Sequence, residues 1–191
     1  IRFKGIIDKV LYEEFNGETI VCIIDYKTGN PNLNIKNVEY GLDMQLPVYI
    51  YLLKNLKELH NVKVGGFYLQ KVLHSETNKE EKVKAMRLQG YSNSDLNILE
   101  KVDSSYNDSK MIKSMKTTSN GFSHYTKVIT DEEIDELSSK VENKIIEASD
   151  KVINAVFEIN PKELNDKNIG CTYCKYKDIC YMTHKDIKKL D

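Results

Sequence analysis

GIIDKVLYEEFNGETIVCIIDYKTG, residues 5–29, consists of two apolar runs joined by Asn16-Gly17. Both central residues of a two-residue type I′ turn need positive φ, which Asn and Gly tolerate best, so the stretch predicts a β-hairpin. With Asn16 and Gly17 as the loop, Phe15 faces Glu18 and every cross-strand pair sums to 33. The hydrogen-bonded pairs are then 15/18, 13/20, 11/22 and 9/24. Asp8 and Asp25 become a directly opposed, non-hydrogen-bonded pair with Cα atoms roughly 4.5 Å apart. Lys27, two residues on, shares their face.

Opposed carboxylates about 4 Å apart repel by roughly 4 kcal/mol at an effective dielectric near 20. Ile6, Val10, Val21 and Ile23 are apolar on the same face, so the pair is expected to be partly enclosed and to need a compensating charge. Oxygen-only ligands of this kind suit Mg²⁺ or Mn²⁺, which are held by one or two carboxylates together with waters and substrate phosphate. The plain alternative is an exposed strand face carrying a chance Asp-x-Lys.

At 191 residues, 40% apolar and 30% charged, the chain has the composition of a single globular domain with a substantial core. A formal net charge of -1 excludes a uniformly basic nucleic-acid-binding chain, so any DNA-binding surface is local. No apolar run approaches the roughly 18 residues of a membrane helix and no signal peptide opens the chain, which gives a cytoplasmic expectation. Ile1 already lies in the first expected strand and no initiator Met precedes it, so residues 1–191 are expected to be one domain of a longer protein, with some functional residues upstream.

Arg2 to Glu14 and Glu18 to Lys27 are the two hairpin strands, apolar on both faces at their centres, as in strands covered on both sides. Thr28 to Asn34 is rich in turn residues. Between Val38 and His60, Leu42, Leu46, Tyr49, Leu53, Leu56 and Leu59 recur at helical spacing, and Pro47 is expected to kink or split this helix. Asn61 to Val72 reads as a further strand, loosened at Gly65-Gly66. Residues 74–127 read as an insertion or mobile segment, with a helical pattern at Ser94 to Val102 and a Ser, Asn and Lys-rich loop from Ser104 to Gly121. Thr130 and Glu133 form a capping box that opens a helix from Asp131 to about Phe157. Pro161 and Gly170 bracket a loop leading to a cysteine cluster at 170–184. Strands alternating with helices indicate an α/β domain built on a central mixed sheet.

Three of the four cysteines fall within ten residues, as Cys171-x2-Cys174-x5-Cys180. Without a secretory signal this spacing indicates metal ligation over disulfides. Cys22, on the strand face opposite Asp25, reads as a small core hydrophobe. Three thiols leave a tetrahedral site one ligand short. Either His184 completes a Cys3His zinc site, or a cysteine upstream of Ile1 completes a four-cysteine site for zinc or an iron-sulfur cluster.

Gly5-Ile6-Ile7-Asp8, Ile24-Asp25-Tyr26-Lys27-Thr28-Gly29 and Gln45-Leu46-Pro47-Val48-Tyr49 resemble the G-x-x-D, D-Y-K-T-G and Q-x-x-x-Y motifs of RecB-like nucleases in the PD-(D/E)XK superfamily. Together with the C-terminal cysteines, the whole chain resembles the AddB-type nuclease domain of bacterial ATP-dependent helicase-nucleases. The resemblance implies a restriction-endonuclease-like core and a Mg²⁺-dependent (or Mn²⁺-dependent) exonuclease that cuts one DNA strand during double-strand-break processing. It further implies an AddA-type helicase as heterodimer partner. It also implies a [4Fe-4S] cluster held by Cys171, Cys174 and Cys180, with the fourth ligand upstream of this chain.

Hydrolysis of a phosphodiester needs a cation to neutralise developing charge and activate a water, and Asp8 and Asp25 are placed to hold one, with the Tyr26 carbonyl as a further ligand. Lys27 is expected to orient or deprotonate the nucleophile and to steady the phosphate. Gln45 and Tyr49, four residues apart, project from one helical face, which the family resemblance puts over the active site. Without the motif, Tyr49 would read as a core residue in the Leu42/Leu46/Leu53 stripe. Tyr173 and Tyr176 are candidates for stacking on bases or for packing over a cluster. A compact nuclease of the CRISPR-adaptation type shares these motifs but not a segment as long as 74–127. A non-catalytic DNA-binding module of the same fold would be expected to have lost one of Asp8, Asp25 and Lys27.

Overall fold

The computed structural model describes residues 4–73, 75, 78–164 and 167–190, with the backbone alone at Ile169. It divides into two units, residues 1–146 and residues 147–191. The first unit opens with the hairpin: β1 (Lys9–Phe15) and β2 (Glu18–Lys27) pair antiparallel from Lys9/Ile24 to Phe15/Glu18. Asn16 (φ 52°) and Gly17 (φ 79°) both take positive φ, the conformation for which this turn chemistry is selected.

The first strand is shorter at its start than expected, beginning at Lys9; Arg2 and Phe3 lie outside the described residues. The expectation that both strands are covered holds for β2 alone. β2 is buried from Thr19 to Asp25, whereas β1 is an edge strand with Leu11, Tyr12 and Phe15 exposed. Apolar residues on both faces of a strand do not by themselves distinguish an edge from a centre.

After β2 a 3-10 turn (Ile35–Tyr40) ends at Gly41, and α1 (Gln45–Lys54) follows. The continuous helix expected from Val38 is therefore two elements, broken by the positive φ of Gly41 (76°) and Asp43 (52°) and not by Pro47. Pro47 is the third residue of α1, where the backbone N–H has no intrahelical partner in any case, so the proline starts the helix without kinking it. Leu46, Tyr49, Ile50 and Leu53 form the buried stripe of α1. Fully burying each aliphatic side chain contributes about 1.5–3 kcal/mol, which locks α1 onto the sheet.

β3 (Val62–Lys71) lies parallel to β2, with Gly65 as the extra residue of a bulge between the Val21/Val64 and Cys22/Gly66 pairs. Residues 74–127, read from sequence as an insertion or mobile segment, hold α2 (Lys79–Ala85), β4 (Gln89–Asn93), α3 (Leu96–Val102) and a small hairpin of β5 (Thr117–Thr118) and β6 (Gly121–Phe122). His74, Glu76 and Thr77 lie outside the described residues. Ile112 and Met115, in the middle of the polar 104–121 stretch, are buried against Leu88, Leu99 and Tyr68. Asp103 ties the same stretch together by accepting bonds from Ser105 and Ser109.

β7 (Val128–Ile129) completes a five-stranded mixed sheet in the order β1-β2-β3-β4-β7. One face packs Val21, Ile23, Phe67 and Leu69 against α1 and against Ile134, Leu137 and Val141 of α4 (Asp131–Ile153). The other packs Ile24 and Tyr68 against Leu99 of α3. This is the α/β architecture expected, a mixed sheet with helices on both faces. The capping box at the head of α4 is formed: Thr130 N–H donates to Glu133 at 2.8 Å and Glu133 N–H to the Thr130 hydroxyl at 3.2 Å.

In the second unit, the loop expected between Pro161 and Gly170 contains β8 (Lys162–Leu164) and β9 (Lys167–Asn168), which pair with each other, and β8 pairs with β10 (Lys188–Leu190). The cysteines lie on and after the four-residue α5 (Ile169–Thr172). No helix among the described residues is long and apolar enough to cross a membrane.

Candidate active site

Asp25 lies on the sheet face covered by α1, near the carboxyl end of β2, where the neighbouring β3 runs parallel. It is 2% exposed, a rare position for a carboxylate. Two polar side chains hold it. Gln45, the first residue of α1, donates from Nε2 to Asp25 Oδ1 at 2.7 Å, and Lys27 Nζ sits 2.6 Å from Asp25 Oδ2. Lys27 also donates to Gln45 Oε1 at 2.6 Å, which closes a ring of three residues. Gln45 Nε2 approaches the Tyr49 hydroxyl at 3.1 Å.

Lys27 is thus the counter-charge of Oδ2, which is itself buried, while Gln45 serves Oδ1.

Asp8 sits one residue before β1 and is exposed, and its Oδ2 accepts the Tyr26 N–H at 2.9 Å. The ladder explains this partner. After 9/24 the next hydrogen-bonded pair would be 7/26, so the Tyr26 N–H points toward the β1 side, and β1 has ended there. The Tyr26 carbonyl points to the same side. Counting the register one step further predicts a backbone 7/26 pair; the Asp8 side chain takes that place because the strand starts only at Lys9.

The enclosure expected around both carboxylates is realised for Asp25 only, since Ile6 is 86% exposed. Much of the expected repulsion is also answered by the fold itself, with Lys27 and Gln45 on one carboxylate and a backbone N–H on the other. Gly5 serves the same patch. A Cβ there would stand 3.3 Å from both Tyr49 Cε1 and Leu52 Cδ1, so the glycine lets the chain before Asp8 lie directly on α1. Tyr49 unites its two readings: it is 8% exposed and part of the core, with its hydroxyl turned to Gln45.

The PD-(D/E)XK nuclease superfamily matches residues 1–181 of this sequence. The chain belongs to that superfamily. Its relatives include an ATP-dependent helicase/deoxyribonuclease subunit from Carboxydothermus hydrogenoformans, 31% identical over 195 residues, covering 95% of this chain and 18% of that protein. The protein of the same name from a Thermoanaerobacter species is 30% identical over 94% of this chain and 17% of its own length. That of Clostridium acetobutylicum is 27% identical with the same coverage. Residues 1–191 thus span less than a fifth of the relatives they match.

Nucleases of this superfamily generally use divalent metals. The donor chemistry here suits one: the Asp25 and Asp8 carboxylates and the Tyr26 carbonyl are all oxygen donors, and Asp8 is tied to the residue next to Asp25 through the Tyr26 N–H. Among the described residues no three His, Cys, Asp or Glu side chains converge on a metal position. Two carboxylates and a carbonyl satisfy Mg²⁺ without a third, because Mg²⁺ keeps several waters.

The cysteine cluster does not fit as placed. Cys174 is exposed, Cys171 and Cys180 are half-buried, and Cys171 Sγ lies 3.6 Å from Met182 Sδ, with the thiols not gathered at one point. His184, in an exposed 3-10 turn, does not complete a zinc site with them. Tyr173 and Tyr176 are exposed. Cys22 is a buried core thiol, and burial pushes its pKa up to about 12.

Proposed function

We propose that this domain is a Mg²⁺-dependent or Mn²⁺-dependent deoxyribonuclease that cuts one DNA strand by phosphodiester hydrolysis. The parent would be a helicase-nuclease that processes double-strand breaks, with an AddA-type helicase as partner. The observation that carries the reading is the buried Asp25, bound by Lys27 and Gln45, with Asp8 anchored on the N–H of the next residue, Tyr26. The names of the relatives support the helicase-nuclease context.

Asp8, Asp25 and the Tyr26 carbonyl would hold the metal, whose bound form would stabilise charge on the phosphate and acidify a water. Lys27, 35% exposed at its side chain, presents a point charge to a non-bridging phosphate oxygen and orients the attacking water. Gln45 holds both Asp25 and Lys27 in place, and Tyr49 fixes Gln45. These last two are positioning residues.

In purified protein carrying this domain, single-stranded DNA is expected to be degraded with Mg²⁺ and spared with EDTA. Asp25→Ala and Lys27→Ala should each abolish cleavage while the fold is retained. Unchanged cleavage by both variants would refute the assignment, and a wild-type protein that binds DNA without cutting it would establish a non-catalytic module. The Cys171, Cys174 and Cys180 spacing supports a [4Fe-4S] cluster in the longer protein, with a further ligand from outside residues 1–191. Its test is a visible absorption band in anaerobically purified protein, lost in Cys174→Ala; colourless protein with stoichiometric zinc would overturn it.

A further inference from the structure

Across the sheet from Asp25, in the same row, stand Leu69 of β3 and Gln89 of β4. Residues in one row project to the same face, so Gln89 and Asp25 share the side covered by α1, about two strand spacings or 10 Å apart. A cleft of about 190 Å³ opens there, lined by Gln89, Lys113, Ser114, Tyr125 and Lys127 and by the loop that carries Leu33. That loop follows directly on the Asp25-Tyr26-Lys27-Thr28-Gly29 motif.

The cleft has three properties that select a ligand. Its charge is positive and locally uncompensated: Lys113 donates to Gln89 Oε1 at 3.1 Å and Lys127 to the Leu33 carbonyl at 3.2 Å, both neutral acceptors, and no carboxylate lines it. In a chain of net charge -1 such a spot is a local exception. Its aromatic wall is exposed, with Tyr125 71% accessible and the His124 ring 3.7 Å away, while Lys127 sits over the Tyr91 ring at 5.3 Å. Its volume is below the 300–1,000 Å³ or so of a typical small-molecule pocket, which suits one unit of a polymer held elsewhere as well.

We propose that this cleft is a nucleotide subsite for the substrate strand, with Lys113 on a backbone phosphate and Tyr125 stacked on a base. Lys127 holds the wall of the cleft by tying the loop at Leu33 to Tyr91. The roughly 10 Å offset is the reach of about one or two nucleotides of an extended single strand from the scissile phosphate. Single-strand sites are built in this way, from a cationic track and aromatic platforms. The proposal rests on the nuclease reading of the Asp25 site and adds to it where the neighbouring nucleotide is held.

The test separates binding from cleavage. A fluorescent oligothymidylate of roughly 12 nucleotides, within the usual single-strand site sizes, is titrated by anisotropy into the protein in EDTA, where no strand is cut. Lys113→Glu is expected to weaken binding about five- to tenfold and to lower the slope of log K against log salt by about 0.7, one phosphate contact. Tyr125→Ala should weaken it by roughly five- to hundredfold, the worth of one stacked base. Lys57→Glu, at an exposed site beyond the far end of α1, should bind as wild type does. In the cleavage assay the loss in Lys113→Glu should fall on KM, whereas Lys27→Ala loses kcat. If Lys113→Glu and Tyr125→Ala both bind as Lys57→Glu does, the subsite is refuted and the nuclease reading stands. If the wild-type protein does not bind the strand, the subsite is refuted and the nuclease reading is decided by the cleavage assay with Mg²⁺ alone.

Discussion

Gln45→Leu removes the residue that links the two ends of the candidate site. Leucine is close in size and keeps the helix, so the change is largely electrostatic. In the wild-type protein Gln45 donates to Asp25 Oδ1 at 2.7 Å and accepts from Lys27 at 2.6 Å. The two bonds differ in weight. The Asp25 side chain is 3% exposed, so Oδ1 would be left buried with no donor, whereas the Lys27 side chain is 35% exposed and water can replace its lost acceptor. An unsatisfied buried acceptor costs about 1–3 kcal/mol, more if charged, and the solvated lysine adds little. The net expectation is about 2 kcal/mol, equivalent to a fall in Tm of about 4–8 °C for a domain of this size.

The assay is urea denaturation with unchanged m, in a double-mutant cycle with Asp25→Ala. In the Asp25→Ala background Gln45→Leu should cost less than about 0.5 kcal/mol, because the orphaned carboxylate is already gone. Equal costs in the two backgrounds would refute the coupling and make Gln45 an ordinary helix residue. Cleavage should also fall by at least about tenfold in Gln45→Leu, since Lys27 loses one of its two anchors.

Three further outcomes follow from other contacts. Burial works against ionisation of Asp131, but its bonds with Lys63 and Asn93 outweigh this and hold its carboxyl below the usual range. Its contribution is present above pH about 4 and lost as pH falls through the lowered value, so Lys63→Met should flatten the acid limb of a stability-pH curve, by no more than about 1 kcal/mol for a pair this exposed. An undiminished acid limb would refute the pairing. The Cys22 thiol, its pKa pushed up to about 12 by burial, should resist a thiol reagent at pH 8 until the protein unfolds, while exposed Cys174 reacts at once; early modification of Cys22 by peptide mapping would contradict its place in the core. Gly5→Ala should lower cleavage more than stability, because a Cβ at 3.3 Å from Tyr49 and Leu52 displaces the segment leading to Asp8; equal cleavage rates would show that this segment tolerates the shift.

The parts of this protein legible in its sequence are those governed by near neighbours. Asn16-Gly17 selects the turn, and with a side-chain period of two the turn sets the whole register and the face on which Asp25 and Lys27 stand. Thr130 and Glu133 cap α4 across three residues, again a local exchange of bonds. The Asp25, Lys27, Gln45 and Tyr49 motif is likewise readable as a string.

Its electrostatics are not readable in the same way. Gln45 meets Asp25 because α1 docks its Leu46, Ile50 and Leu53 stripe on the face of β2, and that docking buries Asp25 while Asp8, at a sheet edge, stays in water. The same pattern of apolar residues fits a central strand or an edge, and Pro47 fits a kink or a helix start, until neighbours are assembled around them. Residues 104–121 are polar in composition but anchored by two buried apolar side chains, Ile112 and Met115. Sequence by itself therefore determined register, face and chemical type, since these depend on short-range backbone geometry. Tertiary structure decided which carboxylate is buried, which side chains hold its two oxygens and where cationic and aromatic side chains meet, since these depend on what packs across the sheet.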